Sequence, residues 1–349
     1  MTPTATPAPA DDPTAPSAVQ QLLTTGFGLT VVGLDRIPVG AGSVNYRAET
    51  GTGRVFVKAY PPGTDLDGEA AGIRLSTLAA QAGVQVARPL ALPDGTFIAT
   101  HDESAASVWE YIDGTIIETG YNRPQLRAVG HTLGLIHRTF AALPESSGPA
   151  PQVEPWLTFD APEFTATIDR LLAVIEAKDE LDEFDEAARR TLRERRDQAE
   201  RIPGLLAELP PLTTQVLHGD YSPMNIMFTG DHVAAVIDFR PPDPFFIAYE
   251  LGRVAYYPNT LVHSDTWQAD ATELIAAYRD ANPQVAGDAI AYSARVALLQ
   301  LLTSLYGVKN HYLKPGLLQA DLDAFWLLRH QAATTLLGHL SDLEKTLRA

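Results

Sequence analysis

Apolar and polar residues along this chain follow two rhythms, which split it into a strand-rich first third and a helical remainder. Residues 28–34 (GLTVVGL) and 54–60 (RVFVKAY) read as strands, the second with Val55, Val57 and Ala59 on one face and Lys58 on the other. Another strand opens at Asn45 and Tyr46, and residues 96–100 and 107–112 (SVWEYI) read as two more. Helical spacing first appears at 66–82, where Ala71, Leu75, Leu78, Ala79 and Ala82 share a face after a Pro61-Pro62-Gly63 break. It returns at 125–142, with Leu126, Val129, Leu133, Ile136 and Phe140 spaced by three and four. Helices follow at 162–178 and 180–202, the latter expected to stop at Pro203-Gly204, and at 265–282, 285–309 and 317–348. A short helix starts near Val19; before it, residues 1–17 are almost wholly Thr, Pro, Ala and Asp, a composition that predicts a disordered tail.

Residues 216–240 (VLHGDYSPMNIMFTGDHVAAVIDFR) break both rhythms. Two apolar runs flank a Gly230-Asp231 turn signal, so the stretch reads as a polar loop followed by a β-hairpin. Asp220 and Asn225 lie on the loop and Asp238 ends the second strand, an arrangement that can gather three oxygen-bearing side chains as a hard-cation site. Phosphoryl transfer needs such a set: one carboxylate to orient a hydroxyl, and a carboxylate with an amide oxygen for the metal on the phosphates. Each residue alone suits a turn or a strand end; their order and their strand-turn-strand context favour the chemistry.

His218-Gly219-Asp220 with Asn225 five residues on, and an apolar strand ending in Asp238, resemble the catalytic loop of the aminoglycoside phosphotransferase and choline kinase family. The resemblance implies an α+β, two-lobed, protein-kinase-like fold: a small antiparallel β lobe over residues 19–112 and a mostly helical large lobe over 113–349, after a tail at 1–18. It implies ATP and Mg²⁺ between the lobes, with Asp220 as catalytic base and Asn225 and Asp238 as metal ligands. It further places Lys58 on the α and β phosphates, Glu69 as the acid that holds this lysine, and a phosphate-covering loop at Gly40, Gly42 and Ser43. The backbone of Glu110 and Ile112 would meet the adenine edge. Val129, Gly130, Leu133, Ile136 and His137 match a helix of the family, where His137 reads as a hydrogen-bonded core residue. The chain departs from the pattern at Gly68, where a basic residue is usual, at Arg240, and at Glu250, which stands where the family has an Asp that braces the catalytic loop. Glu250 is expected either to brace that loop with a longer arm or to leave it held otherwise.

The chain has 349 residues, no cysteine and a formal charge of −17, which excludes thiol chemistry and argues against nucleic acid or anionic membrane as partners. No membrane span and no signal peptide are evident, and a cytoplasmic setting is expected. No activation segment for docking a peptide is found, so the acceptor hydroxyl is expected on a small molecule. Acidity tilts the choice toward a cationic, aminoglycoside-like acceptor, with Asp265, Asp270, Glu273 and Asp321 as candidate lining; choline- or homoserine-type acceptors and a non-catalytic pseudokinase are the alternatives.

Overall fold

The computed structural model describes residues 12–38, 42–144, 152–315 and 319–348. In chain order the elements are α1 (Pro16–Thr25), β1 (Val31–Ile37), β2 (Val44–Thr50), β3 (Gly53–Tyr60), α2 (Leu66–Gln81), β4 (Ile98–His101), β5 (Ser104–Glu110), β6 (Thr115–Ile116), α3 (Arg123–Phe140), α4 (Val153–Leu157), α5 (Ala161–Glu176), α6 (Glu183–Ala199) and α7 (Ile202–Ala207). There follow β7 (Thr214–Val216), β8 (Ile226–Thr229), β9 (His232–Val236), β10 (Pro244–Phe246), α8 (Ile247–Ala255), α9 (Pro258–His263), α10 (Trp267–Ala281), α11 (Gly287–Ala291), α12 (Ser293–Thr303), α13 (Val308–Leu313) and α14 (Gln319–Arg348). The contacts divide the chain into two compact units, Met1–Thr115 with Asn225–Pro242, and Ile116–Met224 with Asp243–Ala349.

The first unit is a five-stranded antiparallel sheet in the order β1-β2-β3-β5-β4. Its core joins Val19, Leu22 and Leu23 of α1 to Tyr46, Ala48, Val57, Ala59, Ala99, Ala106 and Val108 of the strands. That packing corrects the expected tail: α1 already begins at Pro16, and Thr14 and Ala15 are buried. The buried Tyr46 hydroxyl needs a partner, and it donates to the Thr14 carbonyl at 2.6 Å. The first strand starts three residues later than expected, because Gly28 sits at φ +66°, a turn conformation.

The expected lobe boundary also changes. Hairpin β8–β9 belongs to the first unit rather than to the helical one. The Val236 N–H donates to the Gln85 carbonyl at 2.8 Å, and Gly72 of α2 leaves room for the carbonyl of Phe239, which a Cβ at Gly72 would approach to 2.5 Å.

The second unit is built on helix pairs that meet at small residues. α3 lies against α10 so closely that a Cβ on Gly130 would stand 2.0 Å from the Leu274 carbonyl oxygen, and one on Gly134 2.6 Å from that of Tyr278. The two-stranded pairing of β7 with β10 sets residues 217–224, which follow β7, beside α8, which continues directly from β10. Two expected helices are divided. Pro203 starts α7 instead of ending a helix, since proline suits the first turn, and the 285–309 stretch becomes α11, α12 and α13, with Gly307 at φ +94° before the last. α4 has too few periodic residues to be visible in the sequence.

Candidate active site

In the first unit, β3 turns Val57 and Ala59 into the core and leaves Lys58 half-buried on the opposite face. Asp65 caps α2 by accepting from the Gly68 N–H at 3.0 Å, which puts Glu69 in the first turn, where its charge complements the helix dipole. Lys58 Nζ donates to Glu69 Oε2 at 3.0 Å and to Asp238 Oδ1 at 3.1 Å. The glycine before Glu69 has a packing reason, because a Cβ there would stand 2.5 Å from Asp65 Oδ2 and 3.2 Å from Pro241 Cγ.

Asp238 has φ +62°, in the left-handed region that non-glycine residues rarely enter. The turn aims its carboxylate back at Lys58, and the Ile237 N–H donates to the Asn225 carbonyl at 3.0 Å, tying the strand end to the loop. Arg240 Nη2 lies 3.7 Å from Asp238 Oδ2, which places the departure at this position beside the carboxylate. Two cations and two carboxylates thus balance around Asp238. The Tyr60 hydroxyl shares a 2.8 Å hydrogen bond with Ser107 Oγ, and burial pushes its pKa far up, so it stays protonated 5.7 Å (ring centre) from Lys58 Nζ.

In the second unit, Glu250 resolves the question its longer side chain raised. Fully inside the protein, its Oε1 accepts from the Gly219 N–H at 2.7 Å and the Tyr221 N–H at 3.3 Å, and its Oε2 from the His218 N–H at 3.0 Å. It therefore braces the loop that carries Asp220. Burial acts to raise its pKa, but the hydrogen bond and charge of His137, the charge of His218 and the Tyr221 N–H outweigh burial and hold it below the usual carboxylate range. His137 is the hydrogen-bonded core residue expected: Nε2 is 2.9 Å from Glu250 Oε2 and Nδ1 is 2.9 Å from the Tyr278 hydroxyl. The Tyr221 hydroxyl donates to the Val129 carbonyl at 2.9 Å, fixing the loop's far side to α3. Asp220 Oδ1 receives Arg253 Nη2 at 2.5 Å. Arg253 was not legible as a site residue; its one signal is that it follows Glu250 by three on the same helix face.

The sequence model of a phosphotransferase enzyme family matches residues 33–299. The chain belongs to this family. A search of curated protein sequences finds no match. Among solved structures, a spectinomycin phosphotransferase in complex with ADP and spectinomycin is 14% identical with a TM-score of 0.67, covering 92% of this chain and 97% of its own. An amicoumacin kinase in complex with AMP-PNP and Ca²⁺ is 14% identical with a TM-score of 0.61, covering 91% and 93%. An aminoglycoside phosphotransferase from Alicyclobacillus acidocaldarius is 15% identical with a TM-score of 0.59, covering 93% and 96%. The two-lobed α+β kinase-like fold expected from the sequence is therefore the fold of this phosphotransferase.

Other expected site residues of the phosphotransferase fare unevenly. Gly40 lies outside the described residues. Ser43 Oγ donates to Asn45 Oδ1 at 2.9 Å beside Gly42, where a Cβ would meet nothing within 4 Å. The Glu110 N–H is committed to the Arg88 carbonyl at 2.8 Å, so its backbone can offer only a carbonyl to an adenine edge; Ile112 lies just beyond β5. Glu273 pairs with Arg123 at 3.1 Å and Arg127 at 2.8 Å, and Asp270 accepts from Ser264 Oγ at 2.7 Å, which gives both acids structural partners. Among the described residues, no helix is long and apolar enough to cross a membrane.

Proposed function

We propose that this phosphotransferase moves the γ-phosphoryl group of ATP to a hydroxyl of a small molecule. The observation that carries the reading is Lys58 held at 3.0 and 3.1 Å between Glu69 and Asp238, a lysine fixed for phosphate and a carboxylate fixed for metal by the same contacts. The donors fit a hard divalent cation: among the described residues no cluster of three or more His, Cys, Asp or Glu would hold a metal by itself, and Mg²⁺ usually takes one or two carboxylates and completes its shell with phosphate oxygens and water. Asn225 and Asp238 would hold it, and bound there it would supply charge neutralisation on the phosphate oxygens.

Lys58, oriented by Glu69, binds the α and β phosphates. Asp220, on a loop whose backbone Glu250 pins, accepts the hydrogen bond of the acceptor hydroxyl and aims its oxygen in line with the γ-phosphorus. The new O–P bond forms as the bond to the β-phosphate oxygen breaks; ADP leaves, and the hydroxyl proton passes to Asp220. Gly42, Ser43, the Glu110 carbonyl and the Ile112 backbone are assigned to nucleotide binding on the family resemblance alone.

The nucleotides named with the spectinomycin and amicoumacin enzymes support an adenine nucleotide as donor. An aminopropanol kinase of the same fold, 15% identical with a TM-score of 0.58, shows that acceptor chemistry ranges widely among these structures. The net charge of −17 and the likeness to an aminoglycoside phosphotransferase speak for a cationic acceptor, but the first belongs to the whole chain and the second to the fold, so the acceptor's charge is left to the side chains beside Asp220. Lys58, Asp220, Asn225 and Asp238 are all present, which disfavours a pseudokinase. The test is ADP release with Mg-ATP across an acceptor panel. Stimulation that Asp220→Asn abolishes is expected; failure to bind nucleotide at all would overturn the reading.

A further inference from the structure

The second unit carries a cation that the reaction above does not use. Arg123, Arg127, Arg253 and Arg295 each pair with a carboxylate, and the fully buried Arg195 donates to the carbonyls of Leu301, Leu302 and Ser304 at the end of α12. Arg329 of α14 is half-buried and has no such partner among the described residues: its hydrogen bond is to the Gln300 carbonyl, at 3.3 Å, and its guanidinium lies 5.6 Å from the Phe325 ring centre. Burial first, and then the like charge of Arg253 against the opposing effect of Tyr249, pull its pKa down to about 10. A partly desolvated guanidinium without a counter-charge is costly unless something else supplies one.

Its surroundings lead to Asp220. Gln300, whose carbonyl accepts from Arg329, reaches Tyr249 of α8 with its side chain, one turn before Arg253, and Arg253 pairs with Asp220. Tyr249 and Tyr257 accordingly feel the charges of Asp220, Arg253 and Arg329 alike. The Tyr249 hydroxyl accepts from Gln300 Nε2 at 2.8 Å, and the rings of Trp156 and Phe245 stand edge-on to it at 6.4 and 4.9 Å, forming an aromatic wall. Arg253 is occupied by Asp220, and the nearby acid Glu118 is exposed, 3.4 Å from Asn259 Nδ2. Among the described residues, Arg329 is left beside this group without an acid of its own.

We propose that the acceptor carries an oxyanion, a carboxylate or a phosphate ester, which Arg329 receives while the acceptor hydroxyl faces Asp220. The proposal rests on the phosphotransferase reading and deepens it. The net charge of −17 is a property of the whole surface and does not set the charge beside Asp220. A guanidinium there forms bidentate, charge-assisted bonds to an oxyanion and repels a polycationic acceptor.

The test compares the native chain with Arg329→Gln in Mg-ATP turnover against D-glycerate, glucose 6-phosphate, glycerol and kanamycin. Turnover of an anionic acceptor is expected, with Arg329→Gln raising its KM about 10- to 100-fold and leaving the KM for ATP unchanged. Glycerate against glucose 6-phosphate separates carboxylate from phosphate ester. Preference for kanamycin or glycerol, unaffected by Arg329→Gln, would overturn the proposal. A second measurement covers an acceptor outside the panel: inorganic phosphate and citrate are expected to raise the melting temperature of the native chain, and Arg329→Gln to lose that response. No anion response in the native chain would likewise refute it. ATP turnover that is absent with every acceptor, together with lost nucleotide binding, would instead strike the phosphotransferase reading itself.

Discussion

Glu250 Oε2 and His137 Nε2 meet at 2.9 Å with both side chains wholly enclosed, one helix away from the loop that presents Asp220. A carboxylate in the core thus serves two purposes: it satisfies three backbone N–H groups of that loop, and it fastens the loop to α3 through a histidine.

Replacing Glu250 by Gln keeps the shape but removes the charge that strengthens every one of these bonds. Glu250→Gln is expected to lower stability by about 2–4 kcal/mol in urea unfolding and to reduce kcat more than the KM for ATP. pH gives a second readout. A carboxylate held below its ordinary value contributes stability that is full above the unfolded-state value of about 4.3 and is lost as pH falls through the lower folded-state value. Native stability should therefore drop below pH ~4.3 by an increment that Glu250→Gln lacks.

Gly72 is the point where α2 lets the Asp238 segment through. Gly72→Ala forces the Phe239 carbonyl away from a contact of 2.5 Å, and with it the Asp238 carboxylate from Lys58. Turnover is expected to fall at least 10-fold while unfolding shifts by only about 1–3 kcal/mol. A variant with full activity would contradict this.

Gly130 tests the other unit. Its Cβ would meet backbone at 2.0 Å, which no side-chain rotation relieves, so Gly130→Ala must push α3 from α10. We expect a loss of about 3 kcal/mol or more in thermal unfolding, against a gain for alanine in an ordinary helix position.

Much of this was legible because the signals were local. Strand alternation sets Lys58 apart from its apolar neighbours, and the family resemblance implies its pairing with Glu69, which the structure holds at 3.0 Å. The Gly230-Asp231 turn closes β8–β9 as expected, with Gly230 at φ +60°. What stayed hidden depends on distant packing. Arg253 finds Asp220 only after β7 and β10 pair, and Arg329 comes from α14, more than a hundred residues beyond Asp220, to hold the carbonyl of Gln300, whose side chain meets Tyr249. Residues 12–17 read as tail because no local pattern shows that the Tyr46 hydroxyl will hold the Thr14 carbonyl. The breaks in the 285–309 stretch leave no mark in its apolar pattern, which is dense throughout; the backbone makes them, at Tyr292 between α11 and α12 and at Gly307 before α13.

The left-handed backbone at Asp238 sets two kinds of selection against each other. Glycine relaxes that conformation, so Asp238→Gly should melt no lower than the native chain and up to about 1 kcal/mol more stably, while losing turnover. Heat-resistance screens on this protein would then enrich an inactive sequence at that position. A library read out by survival of the fold alone would discard the residue on which we propose the chemistry depends.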